Sequence, residues 1–133
     1  MTVHLNPSGP AWLQPSWRPR WRVLLAVLLF YISYQAFSTP DGTMDMEHLD
    51  KVLHLCAFAC LACVAAWSWA PSPRSAWQVA LGLALYGAFI ELVQSQLPTR
   101  EASLADWITD ALGVALGLGL AHRVRARARN LRN

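Results

Sequence analysis

The chain has 133 residues, of which 55% are hydrophobic and 14% charged, with a formal net charge of +3. Ordinary soluble domains carry roughly 25% charged residues, so this balance speaks against a water-soluble domain, and the length suits one domain only. The sequence pI of about 9.1 reads as orientation charge beside anionic lipid headgroups, and no nucleic-acid partner is expected.

Four apolar runs follow in chain order, Val23 to Phe37, Val52 to Ala70, Ala76 to Val93 and Leu104 to Ala121, of 15, 19, 18 and 18 residues. A helix of roughly 20 residues crosses the hydrocarbon core. The first run reaches that length when Trp21 and Ser38 sit at the interfaces, and Pro40, Asp41 and Gly42 end it. Pro71 and Pro73 mark the turn after the second run, Pro98 and Thr99 the break after the third, and Ser103 is placed to cap the fourth. Four such helices with short connections predict an all-α membrane protein, an antiparallel four-transmembrane-helix bundle. The expected domains are a disordered cytoplasmic tail over 1–20, a membrane domain over 21–122 and a basic cytoplasmic tail over 123–133.

Arginines orient the bundle. Arg18, Arg20, Arg22, Arg74, Arg123, Arg125, Arg127, Arg129 and Arg132 make nine of the eleven basic residues fall on one side, with Lys51 and Arg100 on the other. The positive-inside rule then puts both termini in the cytoplasm. The arginine-rich flank, the first apolar run and the small residues Ala36 and Ser38 also fit a secretory signal peptide, but the long lead before the run argues against cleavage. Cys56, Cys60 and Cys63 all lie in the second run, away from His54, and are expected to pack as small thiols rather than bind metal.

The informative residues are those a lipid-facing helix should not contain. Asp50, Lys51 and His54 stand at the outer end of the second helix, and Glu91 and Gln94 at the outer end of the third. Arg100 follows in the loop, with Ser103, Asp106 and Asp110 at the start of the fourth helix. Asp50 with His54, Glu91 with Gln94, and Asp106 with Asp110 are spaced to share helix faces. On the third helix Ala80, Ala84, Gly87 and Ala88 lie on the side of Glu91, and on the fourth Gly113 and Gly117 continue the acidic stripe as a GxxxG spacing. The carboxylates are therefore expected to point into the bundle, with Gly113 and Gly117 in helix packing.

Bland roles compete at several positions: Asp50 and Ser103 as N-caps, Lys51 as an interfacial anchor, Arg100 as a loop charge beside Glu101. His54 and Glu91 resist this reading, because ionisable groups inside spanning segments are costly. Asp41, Asp45, Glu47 and His48 read as a solvated run in the outer loop. Four carboxylates, Asp50, Glu91, Asp106 and Asp110, face only Lys51 and Arg100. The site can therefore protonate a carboxyl, protonate His54, hold a cation or receive a positively charged group of a substrate. Proton sharing is preferred, since no closed metal-ligand set is evident; cofactor and metal remain unknown.

These residues, read as Asp50-Lys51-x-x-His54-x-x-x-Phe58, Glu91-x-x-Gln94 and Pro98-x-Arg100-x-x-Ser103-x-x-Asp106-x-x-x-Asp110-x-x-Gly113-x-x-x-Gly117, resemble the VanZ-like family of bacterial integral membrane proteins. The likeness covers helices two to four, with Ser38 and Pro40 as the echo in the first. Phe58 stands where a tyrosine is common and Asp110 where an asparagine is common. The resemblance implies a bacterial inner-membrane, cell-envelope protein and an association with resistance to teicoplanin, a lipid-tailed glycopeptide antibiotic; it implies no established activity.

The first expectation for function is binding or processing of a lipid-linked or cell-wall precursor at the outer face. His54, Glu91 and Asp106 are the catalytic candidates, and Asp50, Lys51, Gln94, Arg100, Ser103 and Asp110 the binding residues. Lys51 and Arg100 suit an anionic headgroup. The alternatives are a structural membrane protein without catalysis and a small transporter or proton relay. The residues do not decide whether the protein is an enzyme, nor its oligomeric state.

Overall fold

The computed structural model describes residues 10–38, 47–98 and 103–130, with side chains from Lys51 onward in the second helix. The described residues are helical: two 3-10 turns, Ala11–Leu13 and Pro15–Trp17, precede α1 (Arg18–Phe37), α2 (Glu47–Ser68), α3 (Pro73–Gln94) and α4 (Leu104–Asn130). Pro40, Asp41, Asp45 and Arg100, the side chains of Glu47, His48 and Asp50, and the last three residues lie outside the description.

Local signals fix the helix ends. Pro73 occupies the first turn of α3, where its missing N–H costs nothing. Ahead of it Ser72 Oγ accepts from Ser75 N at 2.9 Å and the Ser75 hydroxyl accepts from Ser72 N, a reciprocal capping box. Ser103 Oγ accepts from Asp106 N at 3.3 Å, the capping role expected of it.

Three helices, α2 through Lys51–Ser68, α3 and α4, are long and apolar enough to cross a membrane. The α1 helix has 20 residues, but Arg20 and Arg22 together with Tyr31, Tyr34 and Gln35 dilute its apolar content. Large apolar side chains point outward from all four helices: Phe30 is 75% exposed, Leu85 62% and Leu112 57%. An apolar exterior of this extent suits lipid as the surrounding solvent.

The core is built from Phe58, Leu61 and Ala62 of α2, Leu83 and Ile90 of α3 and Val114 of α4, with Leu25, Leu28, Leu29 and Ile32 of α1 packed against it. The most intimate pair is α2 with α4. A Cβ built on Gly113 would sit 2.6 Å from the Leu55 carbonyl oxygen, and one on Gly117 would collide with the Ala59 carbonyl. Only glycine lets the two backbones meet here. Cys63 reinforces the seam by donating to the Gly117 carbonyl at 3.1 Å. Cys63 thus packs as expected, whereas Cys56 and Cys60 are exposed on the outer side of α2.

Polar ties hold α1 to the rest, since lipid gives little hydrophobic force between helices. Tyr86 on α3 donates to the Leu29 carbonyl at 3.0 Å and its hydroxyl lies 2.8 Å from Ser33 Oγ. Gln94 Nε2 donates to the Ala36 carbonyl at 3.1 Å. Disorder is the expectation for 1–20, yet residues 10–17 form the two turns because Trp12 packs edge to face against Trp67 and Trp21, with centroids 5.3 and 6.5 Å away, and its carbonyl accepts from Trp21 Nε1 at 2.7 Å. At the other terminus α4 runs on through the arginines to Asn130, a segment of strong helix formers. Arg125 anchors it by donating to the Ala66 carbonyl at 2.6 Å, while Arg22 of α1 donates to that of Ser68 at 3.2 Å. Two cations thus close the C-terminal end of α2, where the helix leaves carbonyls without partners.

Candidate functional site

The polar residues singled out along the sequence meet at the opposite end from these arginines. On α2, His54 lies one turn beyond Lys51, and both face the start of α4. His54 Nδ1 sits 2.8 Å from Asp110 Oδ1, and Lys51 Nζ sits 3.8 Å from Asp106 Oδ1. The i, i+4 spacing within α4 sends Asp106 and Asp110 to the same side, so each meets its own partner on α2. The α3 helix brings Glu91 to the same place, where Glu91 Oε2 accepts from the Ser103 backbone N–H at 2.7 Å. One ligand atom each from His54, Glu91 and Asp110 lies within 4.8 Å of the others.

Burial makes the cluster costly and therefore informative. The Asp110 side chain is 1% exposed and that of His54 14%. Glu91 Oε1 is buried and accepts no hydrogen bond among the described residues. Phe58, 1% exposed, forms the floor: it packs on Tyr86 with ring centroids 5.9 Å apart. Gly87 supplies the space Asp110 occupies, since a Cβ there would lie 2.9 Å from Asp110 Oδ2 and 3.4 Å from the Phe58 ring. The glycine in the Glu91 stripe thus leaves room for the carboxylate on α4.

The chemistry follows from the His54–Asp110 pair. An imidazole whose Nδ1–H donates to a carboxylate carries its basic lone pair on Nε2, and the carboxylate stabilises the imidazolium when Nε2 takes a proton. Glu91 and Asp106 place further acid or base groups beside it. One nitrogen and two carboxylates also form a donor set that suits borderline or hard divalent cations. Bonds of about 2.0–2.2 Å to such an ion bring ligand atoms within roughly 4.4 Å of each other. Only a small contraction separates the observed 4.8 Å limit from that span.

His54, Glu91, Asp106, Asp110, Lys51 and Ser103 therefore converge. Gln94 does not: its amide turns to the Ala36 carbonyl of α1, where it is buried in the bundle. Asp50 by its side chain and Arg100 altogether lie outside the described residues. Phe58 was marked by its spacing from His54 though not as a wall residue, while Tyr86 was hidden in an apolar run and carries no signal of spacing. Trp107, whose Nε1 donates to the Ala84 carbonyl at 3.1 Å, clips α4 to the small-residue face of α3 beside the site.

A sequence model described as VanZ/LLP1 matches residues 7–125. No curated protein and no solved structure matches the chain.

Proposed function

The chain belongs to the VanZ/LLP1 family, and from that premise we propose that this multi-pass membrane protein binds or processes a lipid-linked or cell-envelope molecule at its acidic end. The observation that carries the reading is the buried His54–Asp110 pair, 2.8 Å apart, with Glu91 beside it. A titratable triad at one membrane depth exceeds what helix packing requires, because Gly113, Gly117 and the apolar core already join α2 to α4. In this reading α1 is the fourth span, the bundle is antiparallel, both termini are cytoplasmic in the inner membrane, and the site opens at the outer leaflet. Residues 21–122 form the membrane domain, flanked by the tails.

His54 is the general base or acid, held by Asp110; Glu91 and Asp106 are the complementary groups. Lys51, together with Arg100 and Ser103, receives the anionic headgroup, such as a phosphate. At rest the His54–Asp110–Glu91 group shares a proton. The association with teicoplanin resistance belongs to this reading through envelope precursors that the antibiotic also meets. Comparing lipids, cell-wall precursors and teicoplanin susceptibility between cells with the gene, without it, and with Glu91→Gln tests the proposal. It stands if loss and substitution alter the same envelope molecule, and falls if Glu91→Gln at normal abundance behaves as wild type.

A structural role is the second reading, favoured by Gln94, whose buried amide serves only to tie α3 to α1 among the described residues. That role predicts that site substitutions lower the amount of protein in the membrane rather than changing its products.

A further inference from the structure

At the end opposite the acidic site, two cavities adjoin. One, of about 790 Å³, opens among the first turns, the end of α2, the start of α3 and the end of α4; its rim carries Arg18, His122, Arg125 and Arg129. The other, of about 430 Å³, runs along α1, α2 and α3 past Leu25, Leu29, Gly82 and Leu83 to Tyr86. Ala65, Trp69, Ser75 and Val79 line both, so the basic mouth and the apolar cavity share a wall. Both volumes fall within the roughly 300–1,000 Å³ of small-molecule sites.

No carboxylate side chain among the described residues lies at the mouth. All eight carboxylate side chains of the sequence lie between residues 41 and 50 or between 91 and 110, and those described sit at the acidic end. Arg125 is held in place by the Ala66 carbonyl at 2.6 Å, which fixes its guanidinium at the rim. Arg18 and Arg129 join it from α1 and from the next turn of α4. Three guanidinium groups gathered without an acid call for an anion with several acceptor oxygens. The apolar channel behind them calls for a hydrocarbon chain.

We propose that this pair of cavities is a binding site for an anionic phospholipid of the surrounding membrane, distinct from the acidic site. Its phosphate sits among Arg18, Arg125 and Arg129, and one acyl chain lies in the channel between α1, α2 and α3. Position 82 offers a clean way to close the channel. Gly82 lines it, and a Cβ there meets no atom within 4 Å, so a side chain can be added at this position without an initial clash with the bundle.

The test is native mass spectrometry of the full chain, purified, stripped of lipid and titrated with phosphatidylglycerol, phosphatidylcholine or glycerol phosphate. One phosphatidylglycerol should bind in preference to phosphatidylcholine. The double variant Arg18→Gln, Arg129→Gln should weaken it by about thirtyfold, from the attraction of two basic residues. Gly82→Leu should abolish retention of the lipid at unchanged helicity and thermal stability, while Gly82→Ala retains it. Equal binding of both lipids overturns the proposal, as does displacement of the lipid by glycerol phosphate at equal concentration, which marks a site for free phosphate. Failure of any lipid to bind also overturns it, and means that the chain's own termini or detergent fill the cavity. Undiminished binding by Gly82→Leu removes the channel from the argument and the proposal with it.

Discussion

His54 Nδ1 and Asp110 Oδ1 lie 2.8 Å apart, joining α2 to α4 near their acidic ends through a pair of which Asp110 is 1% exposed. An asparagine at 110 keeps an oxygen that accepts from Nδ1–H, whereas alanine leaves the imidazole without it. Asp110→Ala should therefore destabilise the protein by about 1–2 kcal/mol, in the upper range for polar pairs between membrane helices, and Asp110→Asn by less. Thermal unfolding in detergent reads the difference. Equal losses for both would show that the negative charge, which both variants remove, and not the acceptor oxygen, is what position 110 supplies.

Glu91→Gln preserves an oxygen to accept the Ser103 N–H, now bonded at 2.7 Å, and removes the acid. Stability should stay within about 1 kcal/mol of wild type, with normal membrane abundance and loss of the envelope phenotype. A variant that disappears from the membrane instead supports the structural role.

The shared proton has its own signature. Purified protein should hold no stoichiometric divalent metal, and infrared titration should show a carboxyl band that is altered by Asp110→Asn or by Glu91→Gln. A tightly bound metal at one equivalent defeats proton sharing and assigns His54, Glu91 and Asp110 as its ligands.

Two glycines on α4 should behave oppositely. A Cβ at Gly117 meets the Ala59 carbonyl and Ala62, while one at Gly119 meets nothing within 4 Å. Gly117→Ala should cost about 1–3 kcal/mol through overpacking. Gly119→Ala should be neutral or stabilise by up to about 1 kcal/mol through helix propensity. Matching unfolding temperatures for the two would refute the close α2–α4 seam.

Topology is testable by cysteine labelling from outside in a variant without native thiols. Cys63 is best replaced by serine, which keeps a donor for the Gly117 carbonyl. A cysteine at position 45 should label and cysteines at positions 3 and 130 should not; reversed labelling inverts the proposed orientation.

Much of the site was legible because its residues violate the rules of lipid-facing helices. His54, Glu91, Asp106 and Asp110 could be placed on helix faces by spacing alone, and the glycines of α4 indicated that its acidic stripe faces into the bundle. Gln94 shows where that reasoning stops: it shares a face with Glu91 by spacing, yet its long side chain reaches the carbonyl of Ala36 on a different helix. Arg22 and Arg125 were legible as orientation charges, but their bonds to the end of α2 depend on backbone groups that no sequence pattern announces. The turns around Trp12 were missed for a related reason, since a proline-rich lead reads as disorder until the tryptophans of α1 and α2 are in place beside it.

The seam at Gly113 and Gly117 also governs how the site moves. Backbones that touch cannot slide or roll past one another without collision, so α2 and α4 travel as a single body and carry the His54–Asp110 spacing with them. Glu91 rides on α3, outside that body, and reaches α4 through the Ser103 N–H. The imidazole's support therefore lies within the α2–α4 seam, while the place of Glu91 beside it depends on the bonds from Ser103 and Trp107 that tie α3 to α4.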